Sequence, residues 1–219
     1  MPKRPRSTKN GKPPTRRREE EVFAAAVKLF NERGYAATSV ENVADALGIL
    51  KGSLYYYIGS KEDLLFRIVS EVHVDARRIV EEALARKDLD ARQRLALYVR
   101  NQAEYNAKNV ARVSVYYRDL DQLSPARLKE IRARRGEHFR ALVALIEEAQ
   151  ADGLIATNVD PALAAHGVLS TIIWPFTWFR ASGKVKPAEL ADFCVGYVLG
   201  GLGSFDPIAI DELAEASST

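Results

Sequence analysis

The chain has 219 residues, 47% of them hydrophobic and 28% charged, and a formal net charge of +3. That balance fits a globular protein with one mid-sized domain, or a small domain joined to a larger one. A single cysteine, Cys194, excludes an internal disulfide framework.

No apolar run approaches the roughly 20 residues of a membrane span, and no apolar stretch follows the arginine-rich start. The reading is therefore a cytoplasmic protein with no membrane partner. Cys194 lies among Phe193, Val195 and Tyr197 and reads as an inert core thiol.

The small net charge hides an asymmetry. Eight of the 32 basic residues lie within residues 1–18, where there is no acid, leaving 24 basic against 29 acidic side chains elsewhere. Residues 19–67 carry five basic and eight acidic side chains. Affinity for a polyanion would then rest heavily on the start of the chain, including Arg16 and Arg17. Residues 1–14 are too rich in Pro, Gly, Ser and Thr to build a core and are expected to be a disordered arm. Such an arm is either a solubilising tail or an extension that touches phosphates or the minor groove. Direct attachment to the helices described next favours the second.

A first helix is predicted over 15–33, with Val22, Ala26, Leu29 and Phe30 on one face and Gly34 as its stop. In the next segment Val40, Val43, Ala44 and Leu47 recur at helical spacing. Thr38-Ser39-Val40-Glu41 fits a capping box, with the Thr38 hydroxyl as cap, and Gly48 ends the helix. A second short helix starts near Lys51, with Leu54 and Ile58 on one face and Tyr56 on the other. Two short helices joined by a glycine-containing turn describe a helix-turn-helix, an element that reads DNA.

These residues resemble the TetR family of transcriptional regulators. The match runs through Gly34-Tyr35, Thr38-Ser39-Val40, Val43-Ala44, Gly48-Ile49, Lys51-Gly52-Ser53-Leu54-Tyr55, Tyr57 and Ser60-Lys61-Glu62-Asp63-Leu64, about one-fifth of the chain. Leu50 departs from it, standing where the family usually has a hydroxyl residue able to cap the recognition helix. Ile58 replaces the usual Phe. The resemblance implies an all-α fold: a three-helix DNA-binding head over 15–67, then a larger helical ligand-binding and dimerisation domain over 68–205, with 206–219 a frayed tail. It implies phosphate contacts from Tyr55, Lys61 and Thr38. Lys51, Ser53 and Tyr56 are candidates for base edges, and Ser39, Gly52 and Tyr57 complete the expected DNA surface.

Beyond the head, Ser60 should cap a long fourth helix reaching about residue 85, with the domain boundary inside it. Further helices are predicted at about 90–108, 110–120, 124–151, 160–181 and 187–203. Ser124-Pro125 and Asp160-Pro161 open two of them, with Pro at the first helical position. Nothing alternates with period two, so no sheet is expected.

The larger domain concentrates aromatic residues. Tyr98, Gln102 and Tyr105 share one helix face, Tyr117 follows, and Trp174 and Trp178 flank Pro175, which should kink its helix. Each ring alone reads as core packing. Together they read as the wall of an effector pocket, because tyrosine and tryptophan tips need polar partners. Trp178-Phe179-Arg180 with Gly183 and Pro187 resembles a segment of TetR regulators that sense CoA thioesters of fatty, sterol or aromatic acids. Arg180 would pair with phosphate or carboxylate, or else simply stabilise a helix C-terminus. The competing effector is a lipophilic cation, as in repressors of efflux genes, with Glu104 as its acid.

Gly196 and Gly200 mark a helix that can approach another closely, either within the chain or in a homodimer, where the family places such helices. A two-fold dimer implies a pseudo-palindromic double-stranded DNA operator. No catalytic or metal constellation can be assembled from His73, His138, His166 or Cys194, so neither an enzyme nor a cofactor is expected. A non-catalytic module docking on membrane or RNA through its arm is the alternative outside transcription. The Lys51-Gly52-Ser53-Leu54-Tyr55 spacing argues against it.

Overall fold

The computed structural model describes residues 14–203, which form nine α-helices and no strand. The expected basic arm and C-terminal tail lie outside the described residues, apart from Pro14 at the start of the first helix. The helices divide into two compact units. Of the described residues, one unit holds 14–72 together with 111–132, and the other holds 73–110 and 133–203.

In the first unit, α1 (Pro14–Arg33), α2 (Val40–Ala46) and α3 (Lys51–Leu54) are followed by the opening turns of α4 (Lys61–Ala85). Gly34 and Gly48 both have positive φ, 85° and 64°, and each ends a helix. At Gly48 the chain reverses through N–H donation from Gly48 to the Asp45 carbonyl and from Ile49 to the Ala44 carbonyl, the pattern that left-handed glycine permits. The core is built from Phe23, Phe30, Val43, Leu54, Leu65 and Ile68, all nearly or fully buried. Val115, Tyr116, Leu120 and Ile131, from α6 (Val110–Asp119) and the segment after it, join that same cluster. Each such side chain contributes about 1.5–3 kcal/mol by leaving water.

Polar ties fix this later segment to the first helices. Arg118 donates through Nη2 to the Phe30 carbonyl and through Nη1 to that of Asn31, satisfying carbonyls at the end of α1. The Ser124 backbone N–H donates to Glu62, and Arg127 donates to Asp63.

The capping box sits one residue later than expected. Ser39, not Thr38, is the N-cap of α2, and Asn42, not Glu41, returns the bond to the cap backbone. Thr38 is buried, and its hydroxyl donates to the Gly34 carbonyl at 2.8 Å. The first-turn N–H of Asn42 donates instead to Ser39 Oγ, at 3.1 Å. At α4 the expected cap is present: the Asp63 N–H donates to Ser60 Oγ at 3.1 Å.

In the second unit, α5 (Ala91–Lys108) packs along α9 (Pro187–Gly203), and both pack against α8 (Pro161–Ile173). Asp90 and Asp160 cap α5 and α8, the latter with Pro161 at the first position. Residues from 133 of α7 (Pro125–Ala151) supply Leu142, Leu145, Ile146 and Ala149 to a core shared with Leu95, Val99, Val168, Ala191 and Cys194. The helix expected over 160–181 is shorter. It ends at Ile173, and Trp174–Thr177 form a 3₁₀ turn. Pro175 has no N–H to continue the ladder and its ring obstructs it, so the helix stops instead of kinking.

Candidate functional site

The reading element is organised by which side chains α2 and α3 bury. Leu54 is fully buried and Ile58 nearly so, while Tyr56 is 87% exposed and Tyr55 49%. Burial of one face therefore turns the opposite face outward, with Lys51, Gly52, Tyr55 and Tyr56 exposed and Ser53 and Tyr57 half-buried. Lys51 has only a loose ion pair with Glu41, at 3.8 Å. Leu50 is the N-cap of α3, with extended backbone and no side-chain cap, and it is exposed.

Two expected DNA contacts have side chains turned inward. Thr38 is bonded to the Gly34 carbonyl, as described above. The Lys61 ammonium donates to the carbonyls of Tyr35 and Thr38 at 2.8 and 2.9 Å and lies 4.0 Å from the centre of the Tyr35 ring. Desolvation pulls its pKa below the usual lysine range, against a smaller opposing effect of Asp119. Ser39 is exposed, with its hydroxyl accepting from the Asn42 N–H. Arg16 and Arg17 lie exposed on α1, and Arg17 pairs with Glu21.

In the second unit the expected effector residues separate by burial. Tyr98 is fully buried and hydrogen-bonded to His138. Gln102 is buried as well and donates to Asn106, whose own amide donates to the Ile172 carbonyl near the end of α8. Tyr105 is half-buried. Trp174, Trp178 and Arg180 stand on the surface. Tyr117 belongs to the first unit, edge-on to Tyr116 at 4.6 Å, and so departs from the expected group. Glu104, the acid of the cation reading, is held by Lys108 at 2.6 Å and Arg100 at 3.6 Å.

An open groove of about 510 Å³ runs between α5 and α9, lined by Ala96, Leu97, Val195 and Gly196 and bordered by the Arg100–Asp192 ion pair. Sequence reasoning found no partner for His138 and did not single out Asn106 or the buried Arg94, which pairs with Glu148. Their partners lie 40, 66 and 54 residues away. No local spacing announces such pairs.

Comparison with known proteins bears on this arrangement. The family model for bacterial regulatory proteins of the tetR family matches residues 22–68, and that for the tetracyclin repressor-like C-terminal domain matches residues 88–202. The chain belongs to the TetR family of transcriptional regulators. The HTH-type transcriptional repressor KstR2 of Rhodococcus jostii is 30% identical over 188 residues, covering 85% of this chain and 92% of the relative. The fold is also that of the ketosteroid transcriptional regulator KstR2 of Mycobacterium tuberculosis. There the TM-score is 0.81 and the identity 24%, over 85% of this chain and 95% of the other. AibR, solved with isovaleryl coenzyme A and operator DNA, shares the fold with a TM-score of 0.73 and 24% identity, over 82% and 97% of the two chains.

The helix-turn-helix of this TetR-family regulator is thus a DNA-binding head, and its C-terminal domain, matched over 88–202, places 111–132 in the first unit and the rest in the second. One face of that second unit exposes a mixture of large apolar and small residues. On α8, Leu163 is 65% exposed, with His166, Gly167 and Ser170 exposed along the same side. On α9, Phe193 and Tyr197 stack at 6.0 Å with both rings exposed, beside exposed Gly196 and Gly200. Among the described residues, no helix is long and apolar enough to cross a membrane.

Proposed function

We propose that this regulator is a homodimeric repressor that binds a pseudo-palindromic operator and leaves it when a small hydrophobic effector binds the second unit. The observation that carries the DNA reading is the outward face of α3, where Lys51, Tyr55 and Tyr56 are presented by the burial of Leu54. Lysine can donate to guanine, tyrosine hydroxyls can reach phosphates, and Ser53 can serve either partner. Arg16 and Arg17 add phosphate contacts from the start of α1.

The exposed face of α8 and α9 supports the dimer. Large exposed apolar patches on a regulator of this size mark an interface, and small residues such as Gly196 and Gly200 let helices of two subunits approach closely. Two-fold symmetry would then set two copies of α3 into successive major grooves.

For the effector, a CoA thioester of a fatty, sterol or aromatic acid fits the exposed Trp178 and Arg180, one able to stack on a flat group and the other to fork onto phosphate. In AibR the same fold accommodates isovaleryl coenzyme A together with operator DNA. Release follows from differential affinity: an effector that prefers the dimer with its heads wrongly spaced lowers DNA affinity by that preference.

The test is a thermal-shift panel of acyl, sterol-derived and aromatic CoA thioesters, the matching free acids, free CoA and cationic dyes, followed by operator binding with each hit. A ligand at 100 times its Kd stabilises by about 2.7 kcal/mol, a visible shift. Stabilisation by thioesters with loss of operator binding is expected. A response to cationic dyes alone would reassign the regulator to drug sensing.

A further inference from the structure

We propose that the effector of this regulator carries a hydroxyl group on its apolar body, and that Gln102 selects it by accepting the hydrogen of that hydroxyl. The inference rests on the proposed binding of a small hydrophobic effector to the second unit. Gln102 lies on α5 and is 5% exposed. Its helix neighbours Val99 and Ala103 belong to the apolar core of that unit, with Leu142, Val168 and Ile172.

A chain of hydrogen bonds fixes which end of the Gln102 amide is committed. The Ile172 carbonyl, in the last turn of α8, can only accept, so the Asn106 amide meets it with Nδ2, at 2.8 Å. Asn106 is thereby left to accept through Oδ1, and Gln102 Nε2 donates to it at 2.9 Å. Gln102 Oε1 is the end that remains. It is shielded from solvent, and among the described residues no donor reaches it. An acceptor buried in apolar surroundings discriminates between ligands. A group that donates to it is favoured, whereas a hydrocarbon that covers it leaves it unpaired.

One turn earlier on α5, Tyr98 bonds Nε2 of His138, and the imidazole Nδ1 is likewise shielded and has no partner among the described residues. Burial lowers the pKa of His138, so the ring is neutral at pH 7 and Nδ1 is a donor or an acceptor according to its tautomer. A hydroxyl donates one hydrogen and accepts through its lone pairs, so it suits a site with both kinds of partner. A ketone or an ether only accepts and cannot serve Gln102. Helix α5 also packs against the Trp174–Thr177 turn, which leads to Trp178 and Arg180. The same helix thus joins this polar site to the segment proposed to hold the CoA end.

The experiment measures Kd by titration calorimetry for matched CoA thioesters in unsubstituted, hydroxylated and O-methylated forms. Fatty-acyl, sterol and benzoyl bodies are used, with the hydroxyl moved along each. In wild type the best hydroxylated form is expected to bind about tenfold more tightly than its unsubstituted match, the scale of one buried acceptor satisfied. Its methyl ether keeps the oxygen, loses the hydrogen and should gain nothing over the unsubstituted form. Gln102→Met keeps the side-chain length, removes the acceptor and should abolish the preference.

Equal binding of hydroxylated and unsubstituted forms throughout would overturn the proposal and leave the effector reading standing. So would an ether as tight as the hydroxyl, or a preference that survives Gln102→Met. Should that variant fail to fold, the comparison of hydroxyl with ether in wild type decides alone, since it needs no substitution. If no thioester binds in any form, the thioester reading fails and the hydroxyl requirement with it.

Discussion

The Tyr98 hydroxyl lies 2.9 Å from Nε2 of His138, joining α5 to α7 inside the second unit. Tyr98 is fully buried, so this is a hydrogen bond made where water cannot replace it. Tyr98→Phe keeps the ring and removes the hydroxyl partner of Nε2 on the half-buried His138. A loss of about 1–3 kcal/mol is expected, read from urea unfolding. An unchanged midpoint would show that the pair adds nothing to stability.

Beside His138, burial holds His73 at a pKa of about 4 against an ordinary 6.5, with His138, Arg135 and Arg134 adding repulsion. His138 is lowered too, by desolvation. Between about pH 6.5 and 4 the unfolded chain therefore binds more protons than the folded one. The contribution of neutral His73 is present above the unfolded pKa and is lost as pH falls through this window, by up to about 3 kcal/mol. Unfolding free energies at pH 7 and pH 5 should differ in wild type and differ much less in His73→Phe. Equal pH dependence in the two proteins would exclude His73 as the source.

Leu50 occupies the N-cap of α3 with φ −68° and ψ 142° and provides no cap. It is 80% exposed, so little packing is lost on replacement. Leu50→Ser should stabilise the protein by about 1 kcal/mol, seen as a higher Tm. A lower Tm would mean that the leucine makes contacts worth more than a cap.

Tyr56, at 87% exposure, contributes little to the core. Tyr56→Ala is expected to change stability by less than about 0.5 kcal/mol while altering preference among operator variants. Uniform weakening across the variants would instead assign Tyr56 to the DNA backbone.

A Cβ placed on Gly196 meets nothing within 4 Å in the chain itself. Gly196→Leu should therefore keep the wild-type helical content, and glycine removal favours a helix by up to about 1 kcal/mol. In the proposed dimer the added side chain lies where the second copy must approach. Sedimentation should show monomer in place of dimer. A variant that still sediments as a tight dimer would remove Gly196 from the interface.

The sequence by itself determined most of the helices and much of their punctuation, because those signals act over three or four residues, although the helix expected over 160–181 ends at Ile173. Ser60 and Asp160 are side-chain caps where helices start, and Gly34 and Gly48 take positive φ just past helix ends. The inward Leu54 and outward Tyr56 followed from spacing, and the segment from Gly34 to Leu64 already resembled the family that the comparisons show. Tertiary structure decided what each polar group is committed to. Thr38 was the expected cap of α2, yet the cap is Ser39, while the buried Thr38 hydroxyl donates to the Gly34 carbonyl of the preceding turn. By resemblance Lys61 was an expected phosphate contact, and only the fold brings it to the carbonyls of Tyr35 and Thr38, 26 and 23 residues away. Likewise Tyr98 turned out to be a buried partner of His138, and Tyr117 a member of the other unit. Side-chain chemistry can be read locally; the partner that claims it depends on packing between distant segments.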